Sequence, residues 1–537
     1  MTPSTVSVTF CGEPPTLNPL VHAGKHLATA TVMAPILHSL VKVGPDGRYR
    51  GQLAFDVPHP TEGGHCLHYR IRENARWHDG VPISVDDVRF TWEIMLDPGS
   101  GVPERDGYNL VRDIRHVSDR EFVLELDRPY SAASDLFTST TGAIMPAHLL
   151  RNVDFESDWP SSVRPASGPY RYHGRTDSGL VLHQNPSHVA PATIDQIQVR
   201  FATTDAERAE LVMRGEVDVA TFDRRDVAEQ VVEAARVPLT LVSAPSAQFE
   251  ILLFNTRRGV FASRERRRSW ATGLDRHAIA ADAVGDTPLN ALLRRPGENG
   301  YEPAFSNLTA ADCDEAERER DQPRRLSSGP VRLIAVQTPT RMAAVRHIER
   351  FAARSQLGLV VDWVESRDLV ARLRQGNFDA ALIGLAGNPD PAGHATLWRS
   401  VEDGGQNYAG IADRAIDKAF TRLLEAVDPE DRQQTVREAE RALAAAVPAV
   451  PLYTYPTVLV HHDGLLGPAP YPYQSGHLVE VETWKWRGCN PQNREEDSHG
   501  CHSHHHHQAE QEVSRSADLG VRVSHGPHPA INRRTGK

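Results

Sequence analysis

The densest set of metal-binding side chains in the sequence lies near its C-terminus. The stretch SHGCHSHHHHQ at 498–508 places six histidines and one cysteine within eleven residues. Imidazole and thiolate groups suit nickel, copper or zinc, and a flexible segment can gather them around an ion without a fold. The candidate ligands are Cys501, His502, His504, His505, His506 and His507. We expect this run to bind a divalent metal such as nickel; the alternatives are a solvated polar tail and a cloning-derived sequence.

Signatures of the common enzyme classes are absent from the sequence. It contains no HExxH, Walker loop, GxSxG, CxxC pair or GxGxxG after a strand. His65, Cys66 and His68 come nearest to a metal cluster before the tail, but alternation along a strand sends neighbouring side chains to opposite faces. We therefore predict that the protein is not an enzyme and requires no cofactor; nickel or another divalent metal could bind to the tail without being required.

Composition excludes several other classes of function. The 537 residues, of which 40% are hydrophobic and 24% charged, are enough for two or three globular domains. A net charge of −11 gives no electrostatic reason to bind nucleic acid. No window approaches eighteen consecutive apolar residues, so no transmembrane helix is predicted. Five scattered cysteines imply no disulfide framework and leave their pairing open.

The first twenty residues, MTPSTVSVTFCGEPPTLNPL, lack the basic and apolar regions of a secretory signal. Either a signal has been removed or mis-assigned, or the protein stays inside the cell. Both alternatives remain open.

One short stretch, RIRENARWHDGVPISVDDVRFTW at 70–92, shows how local signals define the elements. A strand should end near residue 72, and the His-Asp-Gly sequence should turn the chain, because Asp-Gly adopts positive φ at little cost. Ser84 and Asp87 then form a capping-box pattern that starts a helix. We therefore predict that the residues of this stretch serve mainly in turns and packing, with direct ligand contact as the alternative.

Strand and helix signals alternate along the rest of the chain, which indicates a mixed α/β architecture. One βαβ unit is predicted from a strand at 192–202 and a helix at 205–216, and another begins with a strand at 331–337. A long helix should begin at Asp428 and end near Val447. After Trp486 the sequence is polar and histidine-rich, so we predict a disordered tail at 488–537.

Seven segments in the same order resemble the family 5 extracellular solute-binding proteins of bacterial ABC importers, the peptide- and nickel-binding group. The resemblance covers roughly residues 6–487. The matching segments are PPTLNPL at 14–20, the 70–92 stretch, ASGPYRY at 166–172, RGEVDVA at 214–220, LLFNTRRG with RRSWATGLDR at 252–276, FDAALIGLAGNPDP at 378–391 and VPAVPLYTYP at 447–456.

The resemblance implies a two-lobe clamp of the periplasmic-binding-protein type that captures a solute between its lobes. The predicted parts are lobe I at 1–42, 165–245 and 451–487, an extra domain inserted in lobe I at 43–164, and lobe II at 246–450. Function would then be capture of a small solute, with an oligopeptide as the preferred one, and its delivery to a membrane ABC permease. A monomer at the cell surface or in the periplasm is the expected form.

The resemblance also suggests where a ligand would bind, although one position departs from the family pattern. In peptide-binding members a Trp and an Asp follow the lobe II strand, and that Asp pairs with the peptide ammonium. Here Leu385 and Asn388 occupy those positions, in a loop that is one residue shorter. An amide can accept a hydrogen bond from an ammonium but loses the ion-pair contribution. The other candidate ligand contacts are Asp390, Thr16, Leu17, Asn18, Tyr170, Trp398 and Tyr408.

Three functions therefore remain open. A peptide receptor predicts a large cleft with hydrogen bonds to the backbone of an extended ligand. A nickel or metal-chelate receptor predicts a smaller pocket with arginine, histidine or aromatic residues. An intracellular solute sensor or metal-storage protein would use the same fold and would account for the missing signal.

Overall fold

The computed structural model describes most of the chain before the tail. The described residues are 4–10, 12–21, 24, 26–102, 107–155, 165–190, 192–285, 287–306, 308, 329–386, 390–400, 406–473 and 476–488. Residues Ser4–Arg487 form one compact unit. The tail predicted at 488–537, apart from Gly488, lies outside the described residues.

Strands and helices alternate through this unit. The strands are β1 (Thr5–Thr9), β2 (Val41–Val43), β3 (Tyr49–Gly51), β4 (Pro60–Thr61), β5 (Cys66–Arg70), β6 (Val111–Ser118), β7 (Glu121–Leu126), β8 (Tyr170–Thr176), β9 (Gly179–Gln184), β10 (Gln196–Arg200), β11 (Val219–Phe222), β12 (Leu239–Phe254), β13 (Val331–Val336), β14 (Leu359–Val364), β15 (Ala380–Ala386), β16 (Ala449–His462), β17 (Leu465–Leu466) and β18 (Lys485–Trp486). The α-helices are α1 (Leu27–Met33), α2 (Val85–Leu96), α3 (Ala147–Leu150), α4 (Asp205–Met213), α5 (Arg225–Ala234), α6 (Arg264–Gly273), α7 (Arg276–Ala283), α8 (Pro339–Arg354), α9 (Ser366–Arg374), α10 (Ala395–Trp398), α11 (Arg414–Glu425) and α12 (Pro429–Ala446). The predicted mixed α/β architecture is confirmed.

A ten-stranded sheet forms the backbone of the unit, in the order β14-β13-β15-β12-β16-β11-β1-β10-β9-β8. One half of the sheet consists of β14, β13, β15 and β12, and the other half consists of β16, β11, β1, β10, β9 and β8. The two halves meet at β12 and β16, which pair antiparallel along most of their length. The register between these two strands shifts between Pro245 and Phe249, where the proline removes a ladder donor. The two halves of the sheet therefore meet at an irregular pair of long strands.

A separate four-stranded sheet, in the order β4-β5-β7-β6, lies within the segment predicted as an extra domain. Helix α2 begins after Ser84, whose backbone N–H donates to Asp87 Oδ2 at 3.0 Å, so the predicted capping box is present. Asp87 also accepts hydrogen bonds from Trp77 Nε1 at 3.2 Å and from the Ala147 N–H at 2.9 Å. Asp87 and Trp77 are both buried. The Asp87 carboxylate thus connects the turn that contains Trp77, the start of α2 and the start of α3 through hydrogen bonds.

Replacing Asp87 with alanine is expected to lower the free energy of unfolding by at least about 2 kcal/mol, because three N–H donors, two of them buried, lose their acceptor. Urea unfolding monitored by tryptophan fluorescence measures the change. The exposed neighbour Asp86 is the control, and Asp86→Ala should change stability by less than about 0.5 kcal/mol. Equal stability of the two variants would contradict this role for Asp87.

Apolar residues from both halves of the sheet form the core. One large cluster includes the interior of the four-stranded sheet, and a second packs α6, α7 and α8 against β13 and β15. Among the described residues, no helix combines the length and the apolar character that a membrane crossing requires.

Candidate functional site

A cavity of about 280 Å³ opens where distant parts of the chain meet at β12 and β16. Its walls come from the chain around α1, from a short turn in the segment of the four-stranded sheet, from β12 and β16, and from α8 and β15. The lining residues are Gly24, His26, Leu27, Ala30, Thr140, Thr141, Gln248, Arg341, Gly384, Leu385 and Tyr455. The cavity is therefore the place where a ligand would contact both halves of the sheet.

Secondary structure positions the polar groups of this cavity. Gln248 lies within the register shift of β12, and Arg341 lies in the first turn of α8, which Thr338 caps through its hydroxyl. Thr140 begins a 3₁₀ turn after Ser139, whose φ of 59° is unusual for a residue with a side chain. Each polar group therefore lies at an irregular point or an end of an element, where the backbone can aim it inward.

A buried ion pair between Glu250 and Arg341 lies at the wall of the cavity, and Arg341 is the member of the pair that lines it. Glu250 on β12 is 0% exposed, and its carboxylate accepts from Arg341 Nε at 2.7 Å and from Arg341 Nη2 at 3.3 Å. The Tyr455 hydroxyl donates to the same carboxylate at 2.7 Å. Burial opposes the charge of Arg341, but the adjacent carboxylate outweighs it and raises the pKa of Arg341. Burial and the negative charge of Glu250 both raise the pKa of Tyr455. Arg341 is therefore charged at neutral pH, and its two hydrogen bonds to Glu250 hold the guanidinium in one orientation.

His26 adds a second polar nitrogen to the wall. Its Nδ1 accepts a hydrogen bond from the backbone N–H of Ala28 at 3.2 Å, at the start of α1. Desolvation lowers the pKa of His26, so the ring is neutral at pH 7. With Nδ1 as the acceptor, the proton of the neutral ring lies on Nε2, which becomes a donor.

Of the predicted ligand contacts that the structure describes, only Leu385 lines this cavity. It lies next to Gly384, where an added Cβ would lie 3.5 Å from Arg341 Nη2 and from Glu250 Oε2. Asn388 lies outside the described residues, as do the predicted tail ligands Cys501, His502, His504, His505, His506 and His507. Within the described residues, no three His, Cys, Asp or Glu side chains group closely enough to hold a metal ion.

The predicted contacts near the N-terminus have structural partners. The side chain of Asn18 is fully buried, and its Nδ2 donates to the Phe155 carbonyl at 2.9 Å. The Thr16 hydroxyl accepts from the Asn18 N–H at 3.1 Å, and Leu17 packs against the core. These three residues are outside the cavity lining, and their contact with a ligand stays a prediction.

The predicted aromatic contacts also lie outside the cavity lining. Tyr170 is fully buried, and its hydroxyl donates to the Ile194 carbonyl at 2.9 Å. Trp398 is buried in the large core cluster, and Tyr408 packs against the same cluster. A role for them in ligand binding remains a prediction.

Asp390 is engaged by other groups. Its Oδ1 caps the 3₁₀ turn Pro391–His394 through the Ala392 N–H at 3.0 Å, and its Oδ2 forms an ion pair with Arg432 on α12. The side chain is 5% exposed. The structure thus places this carboxylate beside an arginine and away from the cavity lining, while its contact with a ligand is untested.

Arg432 also influences Asp135, a buried carboxyl group in the segment of the four-stranded sheet. Burial raises the pKa of Asp135 to about 6, although the Tyr49 hydroxyl donates to its carboxylate and Arg432 and Arg294 are near. An unfolded aspartate titrates near pH 4. Because the folded state holds this proton more tightly, Asp135 should make the protein less stable as pH rises from about 4 to about 6.

Replacing Asp135 with asparagine should remove this pH dependence and keep an acceptor for Tyr49. The wild type should lose about 2 to 3 kcal/mol relative to the variant between pH 4 and pH 7. Urea unfolding at a series of pH values measures both proteins, with the exposed Asp86→Asn as control. Parallel curves for wild type and Asp135→Asn would contradict the raised pKa.

Sequence reasoning missed most of the cavity. Arg341, Gln248 and Thr141 carry no local pattern that sets them apart from surface residues. Glu250 did carry a signal, because it is the one charged residue in the apolar run FEILLF at 249–254. A carboxylate in a buried strand needs a partner, and searching for that partner leads to the site.

Comparison with known proteins agrees with this fold. The family model described as bacterial extracellular solute-binding proteins, family 5 Middle, matches residues 48–407. The oligopeptide-binding protein OppA of Mycobacterium tuberculosis is 25% identical over 476 residues, which cover 82% of this chain and 78% of OppA. This similarity extends well beyond the region of the family model.

Two solved structures share the architecture. The periplasmic EDTA-binding protein EppA has a TM-score of 0.81 at 21% identity, covering 91% of this chain and 98% of EppA. The oligopeptide-binding protein AppA from Bacillus subtilis, in complex with a nonapeptide, has a TM-score of 0.78 at 18% identity, covering 90% of this chain and 100% of AppA. The predicted two-lobe α/β fold is confirmed. The chain belongs to family 5 of the bacterial extracellular solute-binding proteins.

Proposed function

We propose that this protein is the substrate-binding component of an ABC importer, which captures a short peptide or peptide-like solute and delivers it to a membrane permease. The observation that carries the proposal is the cavity at β12 and β16, whose walls come from both halves of the sheet. A ligand there would bridge the two halves and favour a closed form. The similarity to OppA supports a peptide as the solute.

The wall of the cavity suits a ligand with amide groups. Gly384 leaves room for a ligand to approach the backbone of β15, because glycine has no side chain to block it. Beyond Ala381, β15 has no further ladder partner in β13 among the described residues. Its free backbone groups can therefore pair with an extended peptide, as in addition of a strand to a sheet edge.

The volume of the cavity limits the length of the ligand. About 280 Å³ lies just below the range for small-molecule pockets, which is roughly 300–1,000 Å³. We therefore propose a peptide of two or three residues rather than a long one. This is smaller than the large cleft that the sequence led us to expect for a peptide receptor.

A metal-chelate receptor is a second candidate, and a specific observation favours it. A small pocket with arginine, histidine or aromatic residues was expected for that function, and Arg341, His26 and Tyr455 line this one. We propose that any metal binding by the free ion occurs at the histidines of the tail, while the cavity would take only a complete chelate.

The lobe boundaries are also part of the proposal. We place lobe I at 1–42, 165–245 and 451–487, the extra domain at 43–164, and lobe II at 246–450. The register shift that follows Pro245 supports the boundary in β12. We propose that the mature protein works as a monomer at the cell surface or in the periplasm and performs no chemical step on its solute.

Native mass spectrometry of the full chain tests the function. The protein is mixed with a pool of di- and tripeptides, and in parallel with Ni²⁺ or preformed nickel–histidine chelate. One peptide per chain, bound in preference to the chelate, supports the peptide receptor. Binding of the chelate without any peptide would overturn it in favour of the second candidate. A chain ending at Trp486, compared with the full chain, shows whether free Ni²⁺ follows the tail.

A further inference from the structure

The described residues that line the cavity include a positively charged side chain and no negatively charged one. The eleven lining residues include one guanidinium, Arg341, and one imidazole, His26, and they include no carboxylate. Glu250 lies behind this wall, fully buried, with its oxygens accepting from Arg341 and Tyr455. The lining therefore presents a cation to a ligand, while the Glu250 carboxylate lies 3.5 Å from the Cβ position of Gly384 and is not itself part of the lining.

Arg341 retains a free side for a ligand. Nε and Nη2 face Glu250, and no described residue accepts a hydrogen bond from Nη1. Arginine can serve two carboxylates through its two edges, since it carries five donors in a rigid fork. Because Glu250 fixes the first edge, the second is already oriented before a ligand arrives, which lowers the entropy cost of binding.

Other donors line the same cavity as Arg341. Nε2 of His26 carries the proton of the neutral ring, since Nδ1 accepts from Ala28. The hydroxyls of Thr140 and Thr141 and the amide of Gln248 have no side-chain hydrogen-bond partner among the described residues. All of these groups can donate, so the wall suits a ligand group that is rich in acceptors.

The described residues that line the cavity include no carboxylate that could pair with a ligand ammonium. Asp390 is paired with Arg432 and caps a turn. The residues that follow β15, at 387–389, read Gly-Asn-Pro and contain no carboxylate. Around the described part of the cavity, an ammonium would lose its water without gaining a counter-charge, which is costly.

We propose that this cavity recognises its solute by a carboxylate, which the free edge of Arg341 binds with help from His26, Thr140, Thr141 and Gln248, and that a free ammonium is not required. Glu250 acts as a positioning residue for Arg341. The proposal rests on the proposed capture of a short peptide. A cavity of this kind would accept N-blocked peptides and peptide-like acids without an amine, as well as free peptides.

Four pools of the same tripeptides test this selectivity by native mass spectrometry and competition: free, N-acetylated, C-amidated, and blocked at both ends. We expect the free and N-acetylated pools to bind alike, and amidation to weaken binding about 10- to 100-fold, through loss of charge-assisted hydrogen bonds. Equal binding of acids and amides, or loss of binding on N-acetylation, would overturn the inference. If no pool binds, the proposed capture of a peptide itself fails.

Two variants connect the selectivity to Arg341. Arg341→Lys keeps a positive charge opposite Glu250 but lacks the second edge, so the preference for acids over amides should fall to within about threefold. Arg346→Lys, an exposed change on the same helix, should retain the full preference. The ratio of acid to amide affinity is informative even if a variant is less stable. An unchanged ratio in Arg341→Lys would overturn the assignment.

Discussion

Replacing Arg341 with alanine is expected to lower the free energy of unfolding by about 3–5 kcal/mol, because it leaves the Glu250 carboxylate buried without a counter-charge. Glu250 is 0% exposed and Arg341 only 13% exposed, so the carboxylate would lose its counter-charge at a largely buried position. The Tyr455 hydroxyl would remain as the one other side-chain donor recorded for that carboxylate among the described residues. Urea unfolding at pH 7 measures the loss.

Two further variants separate the effect of charge from the effect of volume. Arg341→Met combined with Glu250→Gln removes both charges and keeps an acceptor for Tyr455, and it should recover most of the stability, since buried pairs contribute little net free energy. Arg346→Ala, on the exposed face of α8, should cost less than about 0.5 kcal/mol. A double variant no more stable than Arg341→Ala would show that the ion pair is not the cause.

A leucine at position 384 is expected to weaken solute binding on the order of 100-fold, or about 2.7 kcal/mol, while the fold is kept. An added Cβ at Gly384 meets Arg341 and Glu250 at 3.5 Å, which is ordinary contact. The rest of a leucine side chain must therefore extend into the cavity that Gly384 lines, and it would occupy the volume of the ligand. Isothermal titration with the peptide identified by mass spectrometry measures the affinity.

Two glycine variants serve as controls for this effect. Gly384→Ala adds only a methyl group and should reduce affinity by less than about tenfold, since one methylene-sized group changes binding by about 1 kcal/mol. Gly174 on β8 lies away from the cavity and has open space around its Cβ position, so Gly174→Leu should leave affinity unchanged. Wild-type affinity in Gly384→Leu would show that the solute binds elsewhere.

Local signals in the sequence were enough to predict many of the helices and strands. Helix α12 begins at Pro429 after the cap Asp428, as predicted, because both capping and proline preference act within one turn. The strand predicted at 192–202 is shorter and spans Gln196–Arg200. The Asp195 carboxylate, just before the first residue of the strand, accepts from the Ser4 N–H at 2.9 Å, so this side chain is engaged by a distant segment. No pattern around residue 195 could reveal a partner so distant in sequence.

The candidate site was less predictable for the same reason. Leu385 was identified because it lies in a segment that resembles the family pattern. Arg341, Gln248 and Thr141 come together only through the packing of α8, β12 and a turn from another part of the chain. The partner of Glu250 depends on tertiary structure, so a sequence can show that a partner is needed but not which residue supplies it.

Hydrogen–deuterium exchange of the full chain, with and without the bound peptide, is the most direct test of solute capture in this cavity. We predict that protection concentrates in the segments around Gly24–Ala30, Thr140–Thr141, Gln248 and Gly384–Leu385, because a ligand there bridges them all. Unchanged exchange in these segments, with protection elsewhere in the chain, would contradict capture of the solute in this cavity.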